Sequence, residues 1–139
     1  MANIKLDLQA IERIALFQSM TRVDASDCVE TTQVAYFVVP RGSLGRLKDS
    51  PGLERLSKKL GKSVRLIEHR DEPEAFLKSL FWHYGVENVS VEQGPHGLQG
   101  RVRISPLMKG RAIGKGGENL NALRELAKRH IGLEGIVLE

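Results

Sequence analysis

Apolar residues in the first half of the chain recur first at helical spacing, then in continuous runs, and then at helical spacing again. Ile4, Leu8 and Ile11 share one helical face, which predicts a helix with Asn3 as its cap. The β-branched and aromatic run that Pro40 ends is typical of a strand. We therefore predict helices at about 3–19 and 53–60 and strands at 28–32, 33–39 and 64–67. Residues 20–27 are predicted as a turn, and residues 41–45 as a loop or a short helical turn.

The second half shows a similar order of elements. A helix is predicted to begin at Asp71 or Glu72 and to end at Gly85. Alternating valines on both sides of a turn at 94–97 predict a β-hairpin. Pro106 ends the hairpin, and a short turn then leads to a glycine-rich segment and another helix. The strands are predicted at 86–93, 98–105 and 136–138.

The order helix, strand, strand, turn, helix, strand thus occurs twice, over about residues 3–68 and 72–138. A period of about 66 residues exceeds that of solenoid repeats and fits two copies of one small domain. Each copy is near the lower size limit for an independent core, so we expect the two to pack together. Phe81, Trp82 and Tyr84 lie at the junction, where we expect core or interdomain packing rather than base stacking.

The composition of the chain excludes several classes of protein. The 139 residues are 41% apolar and 27% charged, and no apolar run approaches the roughly 18 residues of a membrane span. The charged start lacks the apolar core of a signal peptide, so we expect a cytoplasmic protein without a membrane partner. A single cysteine, Cys28, excludes an internal disulfide framework and a multi-cysteine zinc site. With scattered histidines and no nucleophile motif, we expect no metal, no cofactor, no small-molecule substrate and no enzymatic activity.

Positive charge is concentrated in two blocks. Residues 41–70 hold nine basic and three acidic residues, and residues 101–130 hold eight basic and two acidic ones, so each block carries +6. The stretch 71–100 between them holds one basic and five acidic residues. Two basic blocks around an acidic spacer suggest two equivalent sites for a polyanion, although solvated helix faces also carry such charges.

The most informative segment is a glycine-rich turn before the last predicted helix. Gly114, Gly116 and Gly117 permit close approach of a ligand to the backbone, and Arg111 and Lys115 add positive charge. The first N–H groups of the following helix favour an anion, so this segment predicts a backbone clamp for phosphates. The glycine spacing fits neither a nucleotide-binding P-loop nor a dinucleotide fingerprint. A plain tight turn between two helices is the remaining alternative.

The segment Ile113–Gly117, between two short helices and after a hairpin, resembles the signature loop of a KH domain, which clamps four nucleotides of RNA backbone. The resemblance implies an α+β fold of two tandem type II (prokaryotic) KH domains, over 1–70 and 71–139. Each would be α-β-β-α-α-β, with a small three-stranded sheet covered by helices. Two such domains filling a short chain are similar to the archaeal NusA family, as are the segments 38–42, 60–68 and 71–76.

The resemblance also implies an RNA-binding site in the second copy, made of loop amides, flanking charges and an apolar wall. Ile113 and Leu120 would wall a groove for bases, and Glu118 and Asn119 would contact nucleotide edges or cap the helix. The complete set expected to bind RNA is Lys109, Arg111, Ile113, Gly114, Lys115, Gly116, Gly117, Glu118 and Asn119.

The first copy departs from the signature. Of the glycines of the signature loop, only Gly52 is present at the corresponding position. Pro51 has no N–H to donate, and Asp49 repels phosphate. We expect this copy to extend the RNA path through its charges without gripping it. The residues expected to take part are Arg41, Arg46, Lys48, Gly52, Arg55, Lys58, Lys59 and Lys62.

Two functions follow as hypotheses. The resemblance implies a factor that binds single-stranded RNA and acts in transcription termination or antitermination, with RNA polymerase as a further partner. The alternative is a protein-interaction scaffold that docks on RNA polymerase or the ribosome and has only incidental affinity for RNA.

Overall fold

The computed structural model describes residues 8–139, which form two compact units over 8–69 and 70–139. Both units are α+β, and in each a small three-stranded sheet is covered by helices. The order helix, strand, strand, helix, helix, strand is the same in both, with a helix where the repeat predicted a turn. No helix in the described part of the chain is long and apolar enough to cross a membrane.

The first unit consists of α1 (Leu8–Thr21), β1 (Asp27–Glu30), β2 (Val34–Val39), α2 (Leu44–Leu47), α3 (Pro51–Leu60) and β3 (Ser63–Glu68). Strand β2 lies in the centre of the sheet, antiparallel to β1 and parallel to β3. The prediction that Asn3 caps the first helix lies outside the described residues. Strand β1 begins at Asp27, inside the segment predicted as a turn, and ends two residues before the predicted Thr32.

The core of the first unit lies between its sheet and its helices. Ala35, Phe37 and Val39 alternate along β2 toward this core, and the rings of Phe17 and Phe37 stack 4.6 Å apart. The intervening residues of β2 are buried as well, so the strand is buried along its whole length. This explains the unbroken apolar run that predicted the strand.

The second unit consists of α4 (Pro73–Leu80), β4 (Val86–Gly94), β5 (Gly97–Ile104), α5 (Pro106–Ile113), α6 (Glu118–Ile131) and β6 (Leu133–Leu138). Strands β4 and β5 form the predicted antiparallel hairpin, and β6 lies parallel to β5 at the edge of the sheet. Gly100 permits close packing, because a Cβ there would lie 2.9 Å from Leu77 of α4 and 3.2 Å from Leu133 of β6.

Several local predictions for the second unit differ from the structure. Helix α4 ends at Leu80 rather than at Gly85, and β6 begins at Leu133 rather than at 136. The apolar pattern predicts only a turn after Pro106, whereas the structure has the helix α5, with Pro106 in its first turn. Proline is favoured there because its missing N–H has no partner at a helix start in any case. Of the three junction aromatics, Phe81 and Tyr84 are buried as expected, but the side chain of Trp82 is 68% exposed.

Candidate nucleic-acid interface

The glycine loop joins α5 to α6 through a backbone path that requires glycine. Gly114 has φ 77° and ψ 176°, Gly116 has φ 62°, and Gly117 has φ 78°. Residues other than glycine rarely adopt these backbone conformations, and the conformation of Gly114 is nearly exclusive to glycine. The loop is therefore a specific structure rather than a generic flexible linker.

The N-terminus of α6 carries no side-chain cap. Its N-cap residue is Gly117, which has no side chain to accept a hydrogen bond from the first turn. The N–H groups of a first helical turn have no intrahelical acceptor, and together with the helix dipole they favour an anion. The loop thus places a helix N-terminus without a side-chain cap beside three glycines. The N–H groups of Gly117 and Glu118 already donate to the carbonyls of Gly114 and Lys115.

Asn119 fixes the loop from the side of α6. Its Nδ2 donates a hydrogen bond of 3.0 Å to the carbonyl of Arg111, near the C-terminus of α5. A Cβ on Gly114 would lie 2.7 Å from Cγ of Asn119, so this side chain packs directly against the glycine. Of the two roles expected for Asn119, the structure shows a cap, but on the carbonyl end of α5 rather than on α6.

The cations around the loop are available to a ligand. Arg111 and Lys115 are exposed, Lys109 is half-buried, and within residues 8–139 none of the three pairs with a carboxylate. Of the two expected apolar wall residues, Ile113 is half-buried and Leu120 is buried. Gly114, Lys115, Gly116 and Gly117 lie directly before α6, and Glu118, Asn119 and Leu120 lie in its first turn, with Glu118 half-buried. Lys109 and Arg111 lie on the preceding helix α5.

A groove of about 260 Å³ runs between α6 and β6, and sequence reasoning missed it. A Cβ on Gly117 would lie 4.0 Å from Nδ2 of Asn121, so the groove begins where the loop ends. Its lining residues are Asn121, Arg124, Glu125, Lys128, Leu133, Glu134, Gly135 and Ile136. The helical positions Asn121, Arg124 and Lys128 follow i, i+3, i+7 spacing, but no local signal shows which strand faces them.

The first unit presents a different loop. Ser50 is the N-cap of α3, and its Oγ accepts a hydrogen bond of 3.2 Å from the N–H of Gly52. Gly52 lies inside α3 and is buried, since a Cβ there would lie 2.1 Å from the Met20 carbonyl oxygen. The glycine that resembled a remnant of the signature therefore has a packing role. The other expected residues that are exposed are Arg41, Arg46, Lys48, Arg55, Lys58 and Lys59.

Lys62 is held in an ion-pair cluster of the first unit rather than at an open surface. Its Nζ lies 2.7 Å from Oε2 of Glu30, and Arg13 of α1 donates to the other oxygen of the same carboxylate. Burial acts to raise the pKa of Glu30, but the hydrogen bonds and charges of Lys62 and Arg13 outweigh it and hold the pKa below its usual value. Lys62 is thus a structural residue.

The cysteine and the metal-ligating types of side chain do not form a reactive site in the described residues 8–139. The thiol of Cys28 is buried, and burial, followed by the negative charges of Glu30 and Asp27, raises its pKa to about 12. A protonated, buried thiol is a poor nucleophile. Among residues 8–139, no group of three histidine, cysteine or acidic side chains could hold a metal ion.

Comparisons with known proteins show the family to which the chain belongs. No protein-family model matches the chain. Probable transcription termination protein NusA of Halobacterium salinarum is 31% identical over 138 residues, covering 98% of this chain and 99% of that protein. The protein of the same name from Methanococcus vannielii is 30% identical over 136 residues, covering 96% and 79%. The crystal structure of APE1850 superposes with a TM-score of 0.72 at 29% identity, over 96% of this chain and all of that one. The chain therefore belongs to the archaeal NusA family of probable transcription termination proteins.

Proposed function

We propose that the chain is a factor that binds single-stranded RNA and acts in transcription termination or antitermination, in contact with RNA polymerase. We further propose that it consists of two tandem type II KH domains, over 1–70 and 71–139, of which the second grips RNA. Membership of the NusA family and the repeated element order support this assignment.

The observation that carries the proposal is the uncapped N-terminus of α6 behind the glycine loop. A phosphate at this point faces the positive end of the helix dipole, and no side-chain cap blocks its approach. It can receive those loop and first-turn N–H groups that do not donate within the loop, as the N–H groups of Gly117 and Glu118 do. Lys115 is exposed in the loop and Arg111 is exposed in the last turn of α5, and within residues 8–139 neither pairs with a carboxylate that a phosphate would have to displace. An anion site of this kind binds the phosphate backbone of RNA and does not distinguish one RNA sequence from another.

The groove between α6 and β6 is the place for the bases. It adjoins the loop at Gly117 and Asn121, so a strand whose phosphates lie on the loop can direct its bases into the groove. Leu133 and Ile136 supply apolar surface, while Asn121 and Arg124 supply hydrogen-bonding groups. Unpaired bases are recognised in this way in single-stranded RNA, by apolar contact and by hydrogen bonds to their edges.

A double charge reversal in the loop tests the proposal. Lys115→Asp with Gly116→Asp should lower affinity for single-stranded RNA at least about tenfold, roughly 1.4 kcal/mol, because two carboxylates then face the phosphates. The fold should survive, since a Cβ on Gly116 meets nothing within 4 Å and aspartate tolerates positive φ better than most residues. Fluorescence anisotropy with labelled RNA measures the loss.

The control is Lys78→Asp, which changes an exposed charge on α4 of the same unit. This variant should lose much less affinity than the loop variant. An unchanged affinity in a folded loop variant, judged by circular dichroism, would show that the loop does not hold phosphate.

A scaffold that docks on RNA polymerase or the ribosome is the second candidate. It is favoured by two large apolar side chains left in solvent, Leu107 at 90% exposure and Trp82 at 68%. Exposed apolar residues of this size are common at protein interfaces. Weak RNA binding that is insensitive to the loop substitutions would favour this candidate.

A further inference from the structure

Arg124 reaches across the groove from α6 to the backbone of β6. Its Nη2 donates a hydrogen bond of 3.0 Å to the carbonyl of Ile136. Within residues 8–139, strand β6 is the edge strand of its sheet and pairs with β5 alone, so its outer side presents backbone groups that have no partner in the described sheet. The carbonyl of Ile136 is one of these groups, and Arg124 occupies it.

This contact changes what the groove offers to a ligand. A bare strand carbonyl is an acceptor and would take a donor such as the exocyclic amine of adenine. A guanidinium has five N–H groups and no acceptor, so Arg124 replaces that acceptor with further donors. Arg124 is otherwise exposed, and within residues 8–139 no carboxylate pairs with it. Its remaining N–H groups are therefore available to a base.

The acidic side chains of the groove do not offset this change. Glu125 accepts a hydrogen bond of 2.6 Å from Arg129, one helical turn further along α6. Glu134 packs against the hairpin turn, since a Cβ on Gly97 would lie 2.6 Å from its Cγ. Lys128, one turn after Arg124, adds a second cation to the lining. The part of the groove around Arg124 and Lys128 thus favours ligands that accept hydrogen bonds.

We propose that Arg124 is a specificity-determining residue that makes the groove between α6 and β6 prefer guanine over adenine. Guanine presents two acceptors, O6 and N7, at the spacing of an arginine fork, whereas adenine replaces the first with an N–H donor. This inference rests on the proposed function, because it assumes that bases enter the groove.

The test uses two seven-nucleotide RNAs of cytidines that differ only in the central nucleotide, guanosine in one and adenosine in the other. The wild-type chain should bind the guanosine probe at least about fivefold more tightly, the lower end of what an arginine–guanine pair provides. Arg124→Lys keeps the charge but lacks the planar fork, so the preference should fall to about twofold or less. Arg124→Ala frees the Ile136 carbonyl and should favour adenosine relative to wild type.

Lys128→Ala is the matched control, because it removes a cation from the same groove without touching Ile136. It should weaken both probes equally and leave their ratio unchanged. Measurable binding of both probes with a ratio near one, or a ratio that survives in the folded Arg124→Lys variant, overturns the role of Arg124 and leaves the proposed function standing. Failure of the wild-type chain to bind either probe overturns both.

Discussion

At the scale of single residues, Glu30 joins three parts of the first unit through one carboxylate. It receives Arg13 from α1 and Lys62 from the segment between α3 and β3, and these partners hold its pKa below the usual value although burial acts to raise it. A carboxyl whose pKa is lowered on folding stabilises the protein above its unfolded-state pKa, and this stability is lost as the pH falls through the folded-state value. The cluster should therefore stabilise the unit at neutral pH and weaken in acid.

Glu30→Gln should lower the free energy of unfolding by about 1–3 kcal/mol at pH 7, because two partly buried cations lose their charged acceptor. The difference from wild type should shrink in acid, as the pH falls below the unfolded-state pKa of glutamate and through the lowered pKa of folded Glu30. Urea unfolding at several pH values measures both effects.

Glu54→Gln provides the comparison for this residue. Its ion pair with Lys58 has both side chains 76% exposed, and such pairs contribute little. This variant should leave the unfolding transition almost unchanged. Similar losses from Glu30→Gln and Glu54→Gln, or a loss from Glu30→Gln that does not vary with pH, would contradict a structural role for the cluster.

At the scale of elements, the two units differ at corresponding helix starts. Helix α3 is capped internally, because Ser50 accepts from the N–H of Gly52 and Pro51 has no N–H. Helix α6 begins at Glu118, and its N-cap Gly117 has no side chain to cap it. The first helix start is therefore covered by a side-chain cap, whereas the second has only hydrogen bonds within its own loop, from Gly117 and Glu118.

This difference predicts unequal effects of matched charge changes. Lys48→Asp with Ser50→Asp alters the charge by the same amount as Lys115→Asp with Gly116→Asp, and aspartate at position 50 can still cap α3. We expect the first pair to reduce RNA affinity clearly less than the second in parallel titrations at one salt concentration. Gly52 is left intact, because any side chain there would meet the Met20 carbonyl and disturb the fold. Equal losses, or a greater loss from the first pair, would refute the asymmetry.

At the scale of the whole molecule, only part of the basic charge is available for RNA. Lys62, Arg101 and Arg129 already pair with carboxylates, whereas Arg111 and Lys115 pair with none among residues 8–139. When cations of the protein neutralise phosphates, counterions are released from the RNA. The affinity for RNA should therefore fall steeply with ionic strength.

For a handful of phosphate contacts, a plot of log affinity against log salt concentration should have a slope of about −2 to −4, since each contact on a single strand contributes about −0.7. The Lys115→Asp, Gly116→Asp variant should give a shallower slope, and Lys78→Asp should keep the wild-type slope. Titrations at four or more salt concentrations provide the measurement. A flat response in the wild-type chain would remove the electrostatic part of the proposal.

The sequence by itself determined the features that depend on neighbouring residues. The element order, the hairpin around 94–97 and the glycine loop follow from apolar spacing, turn residues and positive φ, all of which act locally. Gly61 likewise ends α3 with φ 67°, a left-handed conformation that favours glycine after the last turn of a helix. The apolar pattern did not predict helix α5, because Pro106 is also typical of the end of a strand. Only the resemblance to KH domains predicted a helix there.

The tertiary structure alone decided which side chains are free to act. Lys62 pairs with Glu30, 32 positions away in the chain, and Gly52 meets Met20 across a helix contact, so neither belongs to an open RNA surface. Arg124 acquires its place in the groove only because β6 folds back beside α6 and presents the Ile136 carbonyl. Charge and residue type are local properties, whereas pairing and burial depend on segments that the chain brings together only when it folds.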